Sequence, residues 1–498
     1  MKPPVLLRCL LAAFVLPAVL GAAIDLENEL VVRWPRVDDE SAKLLKELGV
    51  KVVIVPRSEN QPAGEVHRVC RRAGLTPALE IGHFERWEEI EKEFAQAMTD
   101  GFRVVVFEAI ENSADRIREL AATHGDAGVL ALLKPEWAGW QVAPAIAVLN
   151  DGRWPGLEAR DPTVASASEA PWINANCHLF GYLRGMFPER PAALSYLPDE
   201  KAGVKKSQVV HFESVELSLA EAMAGGGNVL LAFPESYRTA LAAKETKALE
   251  AWRSLRETAV LLRAHRDRFR QPLSQDVVVA GGDLDQTGEI LNMFFRRNLS
   301  PRSRPVSRLS PASVSAGRVL VVVNIAPPPP PARAAITTFA KNGGVVLLAP
   351  AANGDKAWWT SADPPAAHES ERDVYAVGKG RVAVYNEPVI DSAEFAWDVI
   401  DSLGSVNLDL RIWNAPTVIG LVRRQKDGAA VVALLNYGSP LTMQEDDEIL
   451  MRIRGTFTRV ELSLPGKPAP APLKATKRGG TTEVEVRGLE RIAVVSFQ

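Results

Sequence analysis

Val104-Val-Val-Phe-Glu108, then Ala114-Asp-Arg-Ile-Arg-Glu-Leu-Ala-Ala122, then Val129-Leu-Ala-Leu-Leu133: this stretch carries the unit that repeats across residues 30–235. A short apolar run stops at a polar or aromatic residue, and an amphipathic segment follows. Upstream the same unit gives Val31-Val-Arg-Trp34, Val52-Val-Ile-Val55 and Thr76-Pro-Ala-Leu-Glu80. Downstream it gives Ala145-Ile-Ala-Val-Leu149, Ala193-Leu-Ser-Tyr-Leu197 and Val229-Leu-Leu-Ala-Phe233. Continuous apolar strands alternating with helices specify a parallel sheet covered on both faces. Eight of them in roughly 200 residues predict a closed (β/α)8 barrel with its site at the strands' carboxyl ends. An open doubly wound sheet is the alternative, because the fifth unit leaves too little chain for a full helix.

The helices fit this frame. Asp39-Glu-Ser-Ala-Lys-Leu-Leu-Lys-Glu-Leu48 stops at Gly49 and Ala63-Gly-Glu-Val-His-Arg-Val-Cys-Arg-Arg-Ala73 at Gly74, each followed by a new apolar run. Helix, glycine and then strand is the expected αβ connection. The long sixth connection holds a helix over 172–186, and a charged helix over 240–268 closes the barrel. A small α/β unit follows, with strands at Val277-Val-Val-Ala280, Val319-Leu-Val-Val-Val323 and Val345-Val-Leu-Leu348 and helices near 288–297 and 332–340. Pro327–Pro331 forms a stiff extended loop between strand and helix or, as the alternative, a ligand for a polyproline reader. Beyond residue 351 short strands separated by Gly, Pro and Asn turns, from Asp373-Val-Tyr-Ala-Val to Ile492-Ala-Val-Val-Ser-Phe497, predict a β-sandwich interrupted by one helix near 393–403. The chain therefore divides into an export signal (1–23), a barrel (24–272), a small α/β domain (273–360) and a sandwich (361–498).

The 498 residues carry a net charge of −3 with no basic stripe, which argues against a nucleic-acid partner. Lys2 and Arg8, an apolar run over 9–20 and Gly21-Ala-Ala23 have the order of a cleavable leader. The expectation is a protein exported to the periplasm or exterior and not inserted in a membrane once cleaved, with an uncleaved anchor as the alternative. Cys70 and Cys177 then remain, expected as buried thiols, with a disulfide between them open.

Carboxylates ring the expected mouth: Glu80, Glu108 and Glu111, Glu136, Asp151, Asp199 and Glu200, and Glu235. Paired carboxylates are what glycosidic cleavage needs, one protonating the leaving oxygen and the other attacking the sugar or activating water. Helix-start capping explains others, such as Asp38, Asp39 and Asp115. Five of the eleven tryptophans, Trp34, Trp137, Trp140, Trp154 and Trp172, fall on the same rim, where flat rings suit sugar faces. His83, His178 and His211 are candidate bases. No nucleophile elbow, phosphate loop, zinc motif or dinucleotide fingerprint is present, so no metal or cofactor is expected.

The order of barrel, α/β unit and sandwich resembles the glycoside hydrolases of the β-galactosidase type. Val319 to Pro350, with Phe339-Ala-Lys-Asn-Gly-Gly-Val-Val-Leu-Leu348, looks like their amidotransferase-like trimerisation domain. Ala170-Pro-Trp-Ile-Asn-Ala-Asn176 and Ala220-Glu-Ala-Met-Ala-Gly-Gly-Gly-Asn-Val-Leu-Leu231 look like stretches of glycosyl-hydrolase-like barrels. The resemblance implies an acid/base after strand four and a nucleophile after strand seven. Carried onto this chain, these are Glu108, which follows Phe107 where the family usually has Asn, and Asp199, with Glu136 as substitute for either. Trp34, Trp137, Trp140, Trp154, Trp172, Asn176 and Glu235 are the expected substrate-binding set. The implied protein is an exported glycoside hydrolase acting on a poly- or oligosaccharide, with a homo-oligomer implied by the middle domain. The alternative is an inactive carbohydrate-binding or scaffold protein.

Overall fold

The computed structural model describes residues 24–498 except 59, 158–172, 197–203, 205–208, 275, 324–326, 350–358, 360–362, 390, 405–407 and 439–447. The leader reading and the assignments at Asp199, Glu200 and Trp172 lie outside the described residues.

Eight parallel strands, β1 (Leu30–Arg33), β2 (Val50–Pro56), β3 (Thr76–Glu80), β4 (Val104–Glu108), β5 (Gly128–Leu133), β6 (Ile146–Gly152), β7 (Ala193–Tyr196) and β8 (Asn228–Leu231), close into a barrel in sequence order. Closure is made by Val31 against Leu230 and Val32 against Leu231, which removes the open-sheet alternative. The middle of each strand is buried on both faces, so its alternating residues enter two separate apolar clusters. Val31, Ile54, Ala78, Val106, Val148 and Ala193 pack with one another inside the barrel. Val32, Val53, Leu79, Val105 and Leu149 pack outward with helix residues such as Leu45, Val66 and Ile90. The short fifth connection is a single 3-10 turn, Pro135–Trp137, and the sixth contains the helix Cys177–Met186.

β9 (Val277–Gly281), β10 (Arg302–Pro305), β11 (Val319–Val323) and β12 (Val345–Ala349) form the α/β sheet with three further strands, β13 (Ala367–His368), β14 (Arg372–Val377) and β15 (Gly380–Tyr385). Two expectations are corrected here. The strands at Asp373 and Gly380, read as sandwich, extend this sheet, with β15 parallel to β12 and β14 antiparallel beyond it. Their alternation is the same in either sheet, so local pattern cannot assign them. The proline loop also ends earlier than expected. Pro330 and Pro331 start the helix Pro330–Lys341, where a missing N–H costs nothing.

The remaining strands form a four-stranded and a five-stranded antiparallel sheet. In the latter, Val418–Arg424, Ala430–Asn436 and Ile492–Phe497 are buried almost throughout, because one face meets the other sheet through Val432, Leu434 and Val495. The opposite face, with Ala433, Leu435 and Val494, joins the cluster that covers the barrel. The helix Phe212–Ala224, buried almost all round, lies at this junction.

Docking of the α/β domain depends on two glycines four residues apart on one helix face. A Cβ on Gly181 would sit 2.8 Å from the Phe295 ring, and one on Gly185 would collide with the Ser303 hydroxyl and backbone. Ser303 Oγ donates to the Gly181 carbonyl at 2.8 Å across this contact. Gly185→Ala is expected to destabilise the protein by about 1–3 kcal/mol through overpacking, read as an earlier urea midpoint. A change under about 0.5 kcal/mol would mean that the interface yields.

Candidate functional site

Inside the barrel, side chains change character at one level. Continuing the inward register one step beyond Val31, Ala78, Val106, Val148 and Ala193 brings Arg33, Glu80, Glu108, Asn150 and Ser195 to the carboxyl end. Arg33 holds Glu80 with two hydrogen bonds, Nε to Oε2 at 3.1 Å and Nη2 to Oε1 at 2.7 Å. The same guanidinium donates to Ser195 Oγ at 2.5 Å and to the Tyr196 carbonyl at 3.1 Å, tying β1 to β3 and β7. Glu108 faces this group, half-buried, with Oε2 2.7 Å from His83 Nδ1. Asn150 Oδ1 is buried without a hydrogen-bond partner among the described residues. A ring of charge and amide thus caps an otherwise apolar barrel.

Beside the mouth, a groove of about 1120 Å3 runs between the turns after β5 and β6 and the helix Leu284–Arg296 of the α/β domain. Its walls include Glu136, Asp151, Arg153, His178 and Glu289. Burial raises the Asp151 carboxyl above the usual carboxylate range; Arg153 opposes this and the charge of Glu136 adds to it. Burial, with Arg296 and Arg153 nearby, pushes His178 down to about 3, so it is neutral near pH 7. Its Nδ1 has no hydrogen-bond partner among the described residues. Two carboxyl groups lining one groove, one of them desolvated by burial, are the chemical material for an acid and a base.

The expected aromatic rim is only partly present. Trp34 is 6 % exposed and packs edge-on to Phe233, and Trp154 is fully buried against Tyr196. Neither offers a face to a sugar, because each ring completes the packing outside the barrel wall. Trp137 and Trp140 stack on each other at 4.7 Å, partly exposed, with Lys134 over Trp137. Glu235 is exposed in the first turn of the helix Glu235–Ala242. His211 stands at the start of the helix Phe212–Ala224.

Asn176 is buried and fully engaged. Its Oδ1 accepts from the Arg153 backbone N–H, and its amide donates to the Arg153 carbonyl, Tyr196 Oη and Glu221. It belongs to a cluster that sequence reading passed over. Glu221, wholly buried, accepts from Tyr196 Oη at 2.5 Å, Tyr437 Oη at 3.0 Å and the Asn176 backbone at 2.9 Å. Cys177 Sγ lies 3.0 Å from Tyr437 Oη. Burial lifts Glu221 to about 7, and the bonds from Tyr196, Asn176 and Tyr437 hold it from rising further. Cys70 and Cys177 are both buried free thiols. Among the described residues no group of three His, Cys, Asp or Glu is placed to hold a metal, and no helix is long and apolar enough to cross a membrane.

A closed parallel barrel with a polar carboxyl end, followed by an α/β sheet and two antiparallel sheets, is the architecture of family 42 β-galactosidases. Three solved structures share it. The β-galactosidase of Bacillus circulans sp. alkalophilus is 10 % identical, with a TM-score of 0.57 over 95 % of this chain and 99 % of that one. The cold-adapted β-galactosidase of Rahnella sp. R3 is 9 % identical (TM-score 0.54; 94 % and 99 % covered). The polyextremophilic β-galactosidase of the haloarchaeon Halorubrum lacusprofundi is 12 % identical (TM-score 0.51; 92 % and 99 % covered). No family model and no curated protein matches the sequence. At such identities the likeness is one of fold.

Proposed function

We propose that the protein is an exported glycoside hydrolase that takes a poly- or oligosaccharide at the carboxyl end of its barrel. The observation that carries this reading is the switch from apolar to polar at the last inward position of the strands, where Glu108 faces the mouth with His83 on one oxygen. In this reading Glu108 protonates the leaving oxygen. Asp199, which follows β7, attacks the sugar, and Glu136 with Asp151 is the substitute pair in the groove. Export rests on the leader-like composition of residues 1–23.

One observation favours a second reading, a barrel that binds glycan without cleaving it. The inward residue at the end of β7 is Ser195, not a carboxylate; its hydroxyl is taken by Arg33, which also neutralises Glu80. Reducing-sugar release by residues 24–498 from a polysaccharide and aryl-glycoside panel separates the two. Release that Glu108→Gln and Asp199→Asn abolish supports the hydrolase. Retention on a glycan column without release by either form supports the binding protein and discards the catalytic assignment.

A further inference from the structure

At the end of the barrel opposite the mouth, Arg184, Arg263, Arg266 and Arg270 line a cavity of about 250 Å3 to which Glu27 adds a single carboxylate. None of the four makes an ion pair among the described residues. Their hydrogen bonds go to neutral acceptors: Arg184 to the carbonyls of Gly226 and Arg270, both at 2.6 Å, Arg263 to the Leu48 carbonyl at 3.0 Å, Arg266 to Asn28 Oδ1 at 3.5 Å, and Arg270 to the Glu27 carbonyl at 2.5 Å and Asn28 Oδ1 at 3.0 Å. A fifth arginine of the lining, Arg190, turns its guanidinium onto the Phe187 ring.

Capping of carbonyls explains these bonds but not the convergence. Each guanidinium has five N–H donors, so most remain for another acceptor. The cations also disfavour one another: after burial, Arg270 lowers the proton affinity of both Arg184 and Arg266, offset in part by Glu27 at the first and by Asp25 and Asp267 at the second, and burial with Arg266 lowers that of Arg263. The backbone is shaped to seat them. Gly226 (φ 78°) has Arg184 where a Cβ would stand, and at Gly49 (φ 85°) a Cβ would lie 2.5 Å from Arg263 Nη1. Both hold the left-handed conformation that only glycine adopts cheaply.

We infer that this cavity is an anion site for a tetrahedral oxyanion, phosphate or sulfate, free or as the ester group of a sugar. The guanidinium fork matches such oxygens in pairs, and a dianion would cancel much of the repulsion among the four cations. The site lies away from the mouth and does not depend on the hydrolase reading.

Thermal unfolding of the full chain in inorganic phosphate, inorganic sulfate, glucose 6-phosphate or sodium chloride of matched ionic strength tests it. The expected result is a saturable rise in midpoint with at least one oxyanion and none with chloride. Arg270→Gln and Arg263→Gln should each raise the half-saturating concentration about tenfold or more, as expected for a lost charge-assisted bond. A response to glucose 6-phosphate alone assigns the ester, and one to the free ions alone assigns the inorganic anion. No saturable rise, an equal rise with chloride, or a rise unchanged in the variants overturns the site and leaves the arginines as carbonyl caps. Should Arg270→Gln fail to fold, Arg263→Gln, the more exposed of the two side chains, carries the comparison.

Discussion

Glutamine at position 108 should reduce kcat/KM for glycoside hydrolysis by about 10²–10⁴, the span that a positioned general acid supplies. The loss should be greatest on natural oligosaccharides, whose leaving alcohol needs a proton, and smaller on nitrophenyl glycosides, whose leaving group departs without one. That leaving-group dependence separates loss of a proton donor from loss of binding, which would lower both substrates alike. His83 is a positioning residue in this scheme. It touches Glu108 through Nδ1 at 2.7 Å from an exposed site, so His83→Ala should cost less and displace the pH–rate profile. Turnover by Glu108→Gln equal to the wild type would remove Glu108 from the chemistry and move attention to Glu136 and Asp151.

Glu221→Ala should destabilise the protein by about 3–5 kcal/mol, because four donors from Tyr196, Tyr437 and Asn176 lose their acceptor where water cannot replace it. The loss would appear as an earlier urea midpoint, and one below about 1 kcal/mol would show that the cluster relaxes around the gap. Glu221→Gln separates shape from charge. The folded pKa of about 7 lies above the 4.5 of an unperturbed glutamate, so the folded state binds this proton more tightly than the unfolded one. The associated stability is complete below about pH 4.5 and is lost as pH rises through 7, by about 3 kcal/mol. Wild type minus Glu221→Gln should therefore fall across that window. His178 works the other way: it is held near 3, so its contribution is present above about 6.5 and lost as pH falls. It is common to both proteins and cancels in the difference. A difference that is flat from pH 4.5 to 8 would mean that Glu221 titrates alike folded and unfolded.

The misplaced and missing assignments have identifiable causes. Trp154 looks like a rim aromatic because it follows β6 by two residues, yet the chain turns it behind the wall against Tyr196. Arg33 reads as an interruption in an apolar strand. The alternation from Val31 points it inward, but its partners are 47 and 162 residues away, so no local spacing announces the pair. Glu221 sits in an alanine-rich helix that reads as an ordinary barrel helix. Its burial is completed by Tyr437 of the sandwich, 216 residues on.

The sequence by itself determined the eight parallel strands and the helices between most of them, since apolar runs and amphipathic segments are local properties, while closure of the sheet was decided by the pairing of β1 with β8. Composition and turn residues likewise determined that an α/β unit and antiparallel strands follow. Only the tertiary structure decided which sheet takes the strands at 372–385, which tryptophans reach solvent, and which charges meet at the two ends of the barrel. Those outcomes depend on contacts between segments hundreds of residues apart, and burial and ion pairing are properties of the assembled surface rather than of any stretch of chain.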